Sequence, residues 1–271
     1  MLDLARRDAE GRTAASLQQI LKRDPRTNHI SVFAMSLAGR PAVVKCTPLT
    51  FKTRLFGLVH RSRGWRQARG AAELRAAGIP TAPVLQIIRA GGRECVVMER
   101  VPGITLLRAL AAESGNSQHL RELAVASGRL IARLSLSHLF NRDHKPSNLI
   151  VSPDGRALTL IDTVAIRRLS RAIPPQDSLV RMLASQVIEP LGCGVLPPCR
   201  TLARGLRAAV QTLADDTAPN ESGASIEAAH ADRDGLAEWR RAHFRMLWRA
   251  VEARIAAHGD PAPRVNPLAP P

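Results

Sequence analysis

Tyrosine is absent from the 271 residues and aromatic side chains make up only 3% of them. With so few rings on which bases can stack, single-stranded nucleic acid is not an expected partner. Cysteine is scarce: Cys46, Cys95, Cys193 and Cys199 form no Cys-x-x-Cys pair and have no histidine at zinc-ligand spacing. A structural zinc site is disfavoured, and reduced thiols in a cytoplasmic setting are the expectation. No apolar run approaches the ~18 residues that cross a bilayer. Residues 1–12 are charged from the third position onward, unlike a secretory signal peptide. Any membrane contact is therefore expected to be peripheral. Acidic residues are also short, 23 against 39 basic ones, and arginine dominates the basic set. The formal charge of +16 points to polyanionic partners such as nucleotide phosphates or an anionic membrane face. A GC-rich genome also enriches arginine and alanine, so the sign narrows the class of partner and no further.

What is present is enough for a core: 45% of the chain is hydrophobic, and its length allows one two-lobed domain or two small ones. Residues 1–13 read as an N-terminal extension, and residues 14–22 carry an apolar spacing that fits a helix or a strand. Residues 29–37 and 41–46 suit two strands joined by a turn at Ala38-Gly39-Arg40. A helix is expected over 65–77, closed by Gly78 and Pro80. Residues 84–88 and 94–98 form a second hairpin about Ala90-Gly91-Gly92. This α+β first lobe, 14–100, ends where Val101-Pro102-Gly103 breaks the pattern.

The second lobe, 101–257, begins helically over 106–112 and 120–136. It then turns through a short hairpin, 149–151 and 157–161, about Ser152-Pro153-Asp154-Gly155. Helical pattern resumes to about residue 213. The polar segment 215–235 reads as a mobile insertion, and 236–257 as a last helix with Leu236, Trp239, Leu247, Val251 and Ile255 on its core stripe. Residues 258–271 read as a disordered tail.

Chemistry concentrates in residues 139–151, LFNRDHKPSNLIV, and 158–163, LTLIDT. Phosphoryl transfer needs a group to take the proton of the attacking hydroxyl, a cation against the transferred phosphate, and oxygen ligands for Mg2+. Asp143, Lys145, and Asn148 with Asp162 are the residue types that supply those needs in that order. A hairpin returns its second strand beside its first, so Asn148 and Asp162 can converge on one ion. The bland alternative is that these polar residues only cap turns and strand ends. The eight histidines, His138 and His144 among them, show no metal-binding arrangement.

The stretch Asn141-Arg142-Asp143-His144-Lys145-Pro146-Ser147-Asn148 resembles the protein-kinase catalytic loop, with Asn141 in place of the usual histidine. That resemblance implies a two-lobed fold with a small β-rich first lobe and a mainly helical second one. It implies Asp143 as base, Lys145 as the phosphate-contacting cation, Asn148 as a metal ligand, and Asp162-Thr163 in place of Asp-Phe-Gly. Lys45, ending Val43-Val44, corresponds to the strand lysine that grips the nucleotide phosphates, with a helical glutamate as partner. Glu73 is the only acid on its helix and is the candidate; alternatively it pairs with Arg69 four residues earlier. Residues Glu99 to Val101 correspond to the connector whose backbone reads adenine. Residues 22–28 hold no glycine, so Lys22, Arg23 or Arg26 stand where a glycine-rich loop is usual.

Among kinase-like families the chain is most similar to the bacterial lipopolysaccharide kinases. The likeness rests on Gly39-Arg40-Pro41-Ala42-Val43-Val44-Lys45, Gly78-Ile79-Pro80-Thr81-Ala82-Pro83 and Asn141-Arg142-Asp143. It implies ATP and Mg2+ as cofactors and a Kdo or heptose sugar of an anionic glycolipid as acceptor. The site of action would be the cytoplasm, at the inner face of the membrane, where each nearby Lys or Arg contributes about 1 kcal/mol. Other kinase-like transferases and an inactive pseudokinase module are the alternatives.

Overall fold

The structure is a computed structural model that describes residues 15–23, 30–50, 61–113, 118–169, 175–195, 199–217, 226–262 and 267–268. The elements run β1 (Ala15–Arg23), β2 (Ser31–Leu37), β3 (Arg40–Pro48), α1 (Arg63–Ala76), β4 (Val84–Ala90), β5 (Arg93–Glu99), β6 (Ile104–Thr105) and α2 (Leu106–Ala112). They continue with α3 (Gln118–Leu136), β7 (Leu139–Asn141), a 3-10 turn (Pro146–Asn148), β8 (Leu149–Val151), β9 (Leu158–Leu160) and β10 (Ile166–Arg168). Three helices complete the order: α4 (Pro175–Gly192), α5 (Cys199–Thr217) and α6 (Ile226–Ala256). The chain is thus mixed α+β.

It divides into two compact units. The first takes residues 1–102, 159–166 and 268–271, and the second takes 103–158 and 167–267. The segment around Asp162 therefore belongs with the N-terminal sheet, although it lies far along the sequence. Backbone bonds account for this: Leu160 N–H donates to Pro80 O at 3.1 Å, and Leu160 O accepts from Ala82 N–H at 3.1 Å and from the Thr81 hydroxyl at 2.8 Å.

In the first unit five antiparallel strands lie in the order β1-β2-β3-β5-β4. Both hairpins close through two-residue turns with positive φ at each position, Ala38 and Gly39 (47° and 77°) and Gly91 and Gly92 (54° and 69°). Such turns match the natural twist of the paired strands. The segment 14–22, open between helix and strand in the sequence, is a strand: Ala15 faces Leu37 and Arg23 faces Ser31. Side-chain alternation divides the sheet. Val44, Cys46, Cys95 and Val97 join Met35 and Ala42 in one buried cluster, whereas the next residues along, Lys45 and Val96, are register partners on the other face.

Helix α1 begins under Ser62, whose hydroxyl accepts from Trp65 N–H at 3.4 Å, and Gly64 N–H donates to the buried Glu94 carboxylate at 2.7 Å. A carboxylate at a helix N-terminus is favoured by both the exposed N–H groups and the helix dipole. The helix stops in a Schellman closure: Ile79 N–H reaches Leu74 O at 2.9 Å and Gly78 N–H reaches Arg75 O at 3.0 Å, with Gly78 at φ 65°. Its buried face is Gly64, Gln67, Gly70, Ala71 and Leu74, spaced as one stripe.

The second unit is mainly helical. Leu123, Leu130, Ile131 and Leu134 of α3, Leu179 and Met182 of α4, and Leu206, Ala209 and Val210 of α5 are buried. Strand β8 pairs with β6, Val151 facing Ile104.

Two expectations need correction here. Residues 215–235 are not one irregular insertion. Helix α5 runs on to Thr217 and α6 starts at Ile226, since Glu227, Ala228, Ala229 and Ala231 are residue types that favour helix despite the polar company; residues 218–225 lie outside the described set. The stripe on α6 is buried only at Leu247, while Leu236, Trp239, Val251 and Ile255 are half-buried. Of the tail, residues 258–262 and 267–268 are described, and Pro261 packs against Gly192 of α4 so closely that a side chain at 192 would collide. The proposed extension, 1–13, and Arg26 lie outside the described residues.

Candidate active site

Lys45 leaves β3 on the sheet face opposite the apolar cluster and ion-pairs with Asp162, Nζ to Oδ2, at 2.6 Å. The two side chains are 14% and 19% exposed, so the pair is shielded from screening by water and salt. Burial by itself would raise the Asp162 carboxyl. The Lys45 ammonium, by charge and by hydrogen bond, together with the Arg63 charge and the Val164 N–H, outweighs that and holds it below the ordinary carboxylate value. Asp162 is therefore an anion at neutral pH. Arg63, Gly64 and Gln67 of α1, with Thr47, Val96 and Val164, complete the small cleft in which Lys45 sits.

The segment that carries Asp162 is bound to α1. Gln67 donates through Nε2 to Ile161 O at 3.1 Å and accepts at Oε1 from Thr163 N–H at 3.2 Å. The Thr163 hydroxyl donates to Gln67 O at 2.6 Å.

In the second unit Asp143, Lys145 and Asn148 share one loop between β7 and β8. Asn141, 1% exposed, accepts from Asp143 N–H at 3.1 Å and so braces the turn from the position where the resembled family has histidine. Asn148 donates from Nδ2 to Asp143 O at 2.9 Å and to Asp143 Oδ2 at 3.1 Å. Both partners only accept, which fixes the amide orientation and turns the Asn148 carbonyl oxygen away from Asp143. Lys145 stands 3.4 Å from Asp143 Oδ1, and the Asp143 side chain is 47% exposed. A half-exposed carboxylate with a cation beside it is accessible to an incoming hydroxyl.

Glu189 of α4 holds the same loop from beneath: Ser147 N–H and the Ser147 hydroxyl donate to its two carboxylate oxygens at 2.7 and 2.6 Å. Between Asp143 and Lys145 the side chain of His144 is fully buried, and neither ring nitrogen has a hydrogen-bond partner among the described residues. Burial pushes its pKa down from 6.5 to about 3.

The expected partnership of Lys45 with Glu73 is corrected. Among the described residues the ion-pair partner of Lys45 is Asp162, and the side chains that α1 brings to the Lys45 cleft are Arg63 and Gln67. Glu73 lies six residues beyond Gln67, roughly 240° around the helix, and is half-buried elsewhere. Glu99 ends β5 with its N–H donated to Pro83 O at 3.0 Å, Arg100 N–H reaches Pro41 O at 3.1 Å, and Val101 follows half-buried. The expectation of reduced cysteines is corrected at one pair. Cys46 and Cys95 face each other across β3 and β5 with Cα atoms 4.1 Å apart and are joined as a disulfide.

Gln67, Arg63 and Glu189 were not legible as site residues. A search for an acid on α1 passes over a neutral amide, and nothing local ties Glu189 to a loop 42 residues earlier. A cavity of about 260 Å3 among the helices of the second unit is walled by apolar side chains such as Leu123, Leu206 and Trp248 and contains none of the residues named above as candidates. Its size alone does not make it the chemical site. Among the described residues no cluster of three or more His, Cys, Asp or Glu gathers as for a metal, and no helix is long and apolar enough to cross a membrane. The chain matches no protein-family model and no curated protein.

Proposed function

We propose that the chain is an ATP- and Mg2+-dependent phosphotransferase of the two-lobed protein-kinase-like kind, acting on a hydroxyl of a Kdo- or heptose-bearing glycolipid. The observation that carries this reading is the ion pair between Lys45 and Asp162, 117 residues apart in sequence. The kinase-like pattern gives those two residues neighbouring tasks, one on the nucleotide phosphates and one on the metal that would accompany them.

In this reading Asp143 accepts the proton of the acceptor hydroxyl as its oxygen bonds to the γ-phosphorus. The bond from that phosphorus to the β,γ-bridging oxygen breaks, and ADP leaves. Lys145 offsets charge on the transferred group, Lys45 holds the α- and β-phosphates, and the backbone from Glu99 to Val101 meets the adenine edge. Mg2+ usually takes one or two carboxylates and completes its shell with phosphate and water oxygens. The ionised Asp162 is such a carboxylate and would hold the ion, and the resemblance gives Asn148 the same task; when bound, the ion neutralises charge on the phosphates. The net charge of +16 suits a phosphorylated glycolipid at an anionic membrane face.

One observation favours a second reading, a nucleotide-free pseudokinase module: residues 22–28 contain no glycine to present backbone N–H groups to phosphate. The test uses labelled ATP with Kdo-lipid, heptosyl-lipid, aminoglycoside, choline and protein acceptors. Asp143→Ala and Asp162→Ala are expected to lower turnover by ~10²–10⁴ with the fold intact by circular dichroism. Undiminished turnover in either variant refutes the assignment. No thermal stabilisation of the unaltered protein by Mg-ATP would favour the module.

A further inference from the structure

Asp162 sits between two peptide groups that are both tied to a single residue. Ile161 O receives the Gln67 amide hydrogen at 3.1 Å, and Thr163 N–H enters the same amide's oxygen at 3.2 Å. A third bond, from the Thr163 hydroxyl to the main-chain oxygen of Gln67 at 2.6 Å, joins the two segments again. Gln67 is 1% exposed and Thr163 is fully buried, so water does not compete for these groups. The same amide nitrogen also touches Met98 Sδ at 3.3 Å, which steadies it against the sheet.

A primary amide suits this place. Its one end must donate to a carbonyl and accept from an N–H at once; an ionised carboxylate only accepts, an ammonium only donates, and a thioether does neither usefully. Asparagine has the chemistry but is a methylene shorter. We infer that Gln67 is the positioning residue of the Asp162 segment, a neutral bracket that fixes the backbone on both sides of the carboxylate and so aims it. This rests on the phosphotransferase reading for its consequence, since aiming Asp162 matters to a metal it would hold. In the resembled family the helix meets this region through a charged glutamate. Here α1 meets the Asp162 segment through Gln67, and Lys45 is left to pair with Asp162 itself.

The experiment uses the full chain as wild type, Gln67→Met, Gln67→Glu and Thr163→Val. Two quantities are read: hydrogen exchange of the Thr163 amide without nucleotide, and the Mg2+ concentration for half-maximal ATP turnover. In Gln67→Met and Gln67→Glu the Thr163 amide is expected to exchange about tenfold or more faster, with β2 and β3 amides unchanged. The half-saturating Mg2+ is expected to rise about tenfold, with most of kcat recovered at high Mg2+. A merely structural role lowers stability and leaves that Mg2+ dependence alone. Thr163→Val removes the third bond from the other side and is expected to move both quantities in the same direction by less; it carries the test if the Gln67 variants do not fold. Unchanged Thr163 exchange overturns the bracket. Faster exchange with unchanged Mg2+ dependence overturns the positioning role. Absence of turnover in wild type sinks the phosphotransferase reading instead, and Thr163 exchange then decides the bracket alone.

Discussion

Gly70 on α1 stands so close to Thr163 that a Cβ at position 70 would lie 2.1 Å from the Thr163 carbonyl oxygen. The neighbour is backbone, which cannot swing aside as a long side chain does. The helix and the segment that bears Asp162 are thus held together by an absence of side chain as well as by hydrogen bonds.

Gly70→Ala is expected to force the two backbones apart, at a cost of about 1–3 kcal/mol, the usual range for overpacking. On the proposed phosphotransferase reading, ATP turnover should also fall by more than the loss of folded protein explains, because the displaced group adjoins Asp162. Gly235→Ala on α6 is the control: nothing lies within 4 Å of its would-be Cβ, so replacing a helical glycine there should stabilise by about 0.5–1 kcal/mol. Urea denaturation of both variants measures the contrast. Equal effects of the two substitutions would show that the close approach is not a constraint.

A second close approach joins α3 to α5. A Cβ on Gly128 would stand 1.9 Å from Gly205 O, whereas one on Gly205 would stand 3.0 Å from Ala124 O. The two glycines face each other but are not equivalent. Gly128→Ala is expected to destabilise by at least about 2 kcal/mol, the middle of the overpacking range, and Gly205→Ala by clearly less. Thermal melts of the two variants under one condition decide it; the reverse order would mean the helices slide easily at this crossing.

His144 gives the stability a pH dependence whose direction follows from its burial. Unfolded, it titrates near 6.5; folded, it stays neutral down to about 3. Above pH 6.5 the group is neutral in both states and the protein keeps its full stability. As pH falls below 6.5 the unfolded chain takes up a proton that the folded one refuses, and stability is lost progressively toward pH 3. At about pH 4.5, roughly two units below the unfolded value, the loss is about 2–3 kcal/mol. The Lys45 to Asp162 pair acts lower: its carboxyl is held below the ordinary value, so its contribution goes only as pH falls through the acidic carboxylate range. Urea unfolding at about pH 7.5, 6.0 and 4.5 should show the decline in wild type and a much flatter profile in His144→Leu. An unchanged slope in the variant would assign the effect to other groups.

Much of the local architecture was readable. Ala38-Gly39-Arg40 and Ala90-Gly91-Gly92 announce hairpins because left-handed turn conformations are cheap at glycine, and Gly78 with Pro80 announces a helix end. The motif spacing likewise singled out Asp143, Lys145, Asn148 and Asp162, since turn and loop chemistry acts over a few residues. The choice between helix and strand at 15–23 was not readable. Its pairing with β2 decides the matter, and that pairing is a tertiary contact that overrides a weak local preference.

The sequence by itself determined the composition class, the hairpins, the helix stop at Gly78 and the candidate loop, because each of these follows from residues within a turn or two of one another. The tertiary structure alone decided that Lys45 pairs with Asp162 and not with Glu73, that Gln67 binds both sides of Asp162, that Cys46 meets Cys95, and that Glu189 holds Ser147. Those partners are 42 to 117 residues apart along the chain. Which of several acids or amides meets a given lysine is set by helix rotation and strand register. A turn of about 100° per residue along α1 exchanges one side chain for another at the same spot, and no local propensity records that choice.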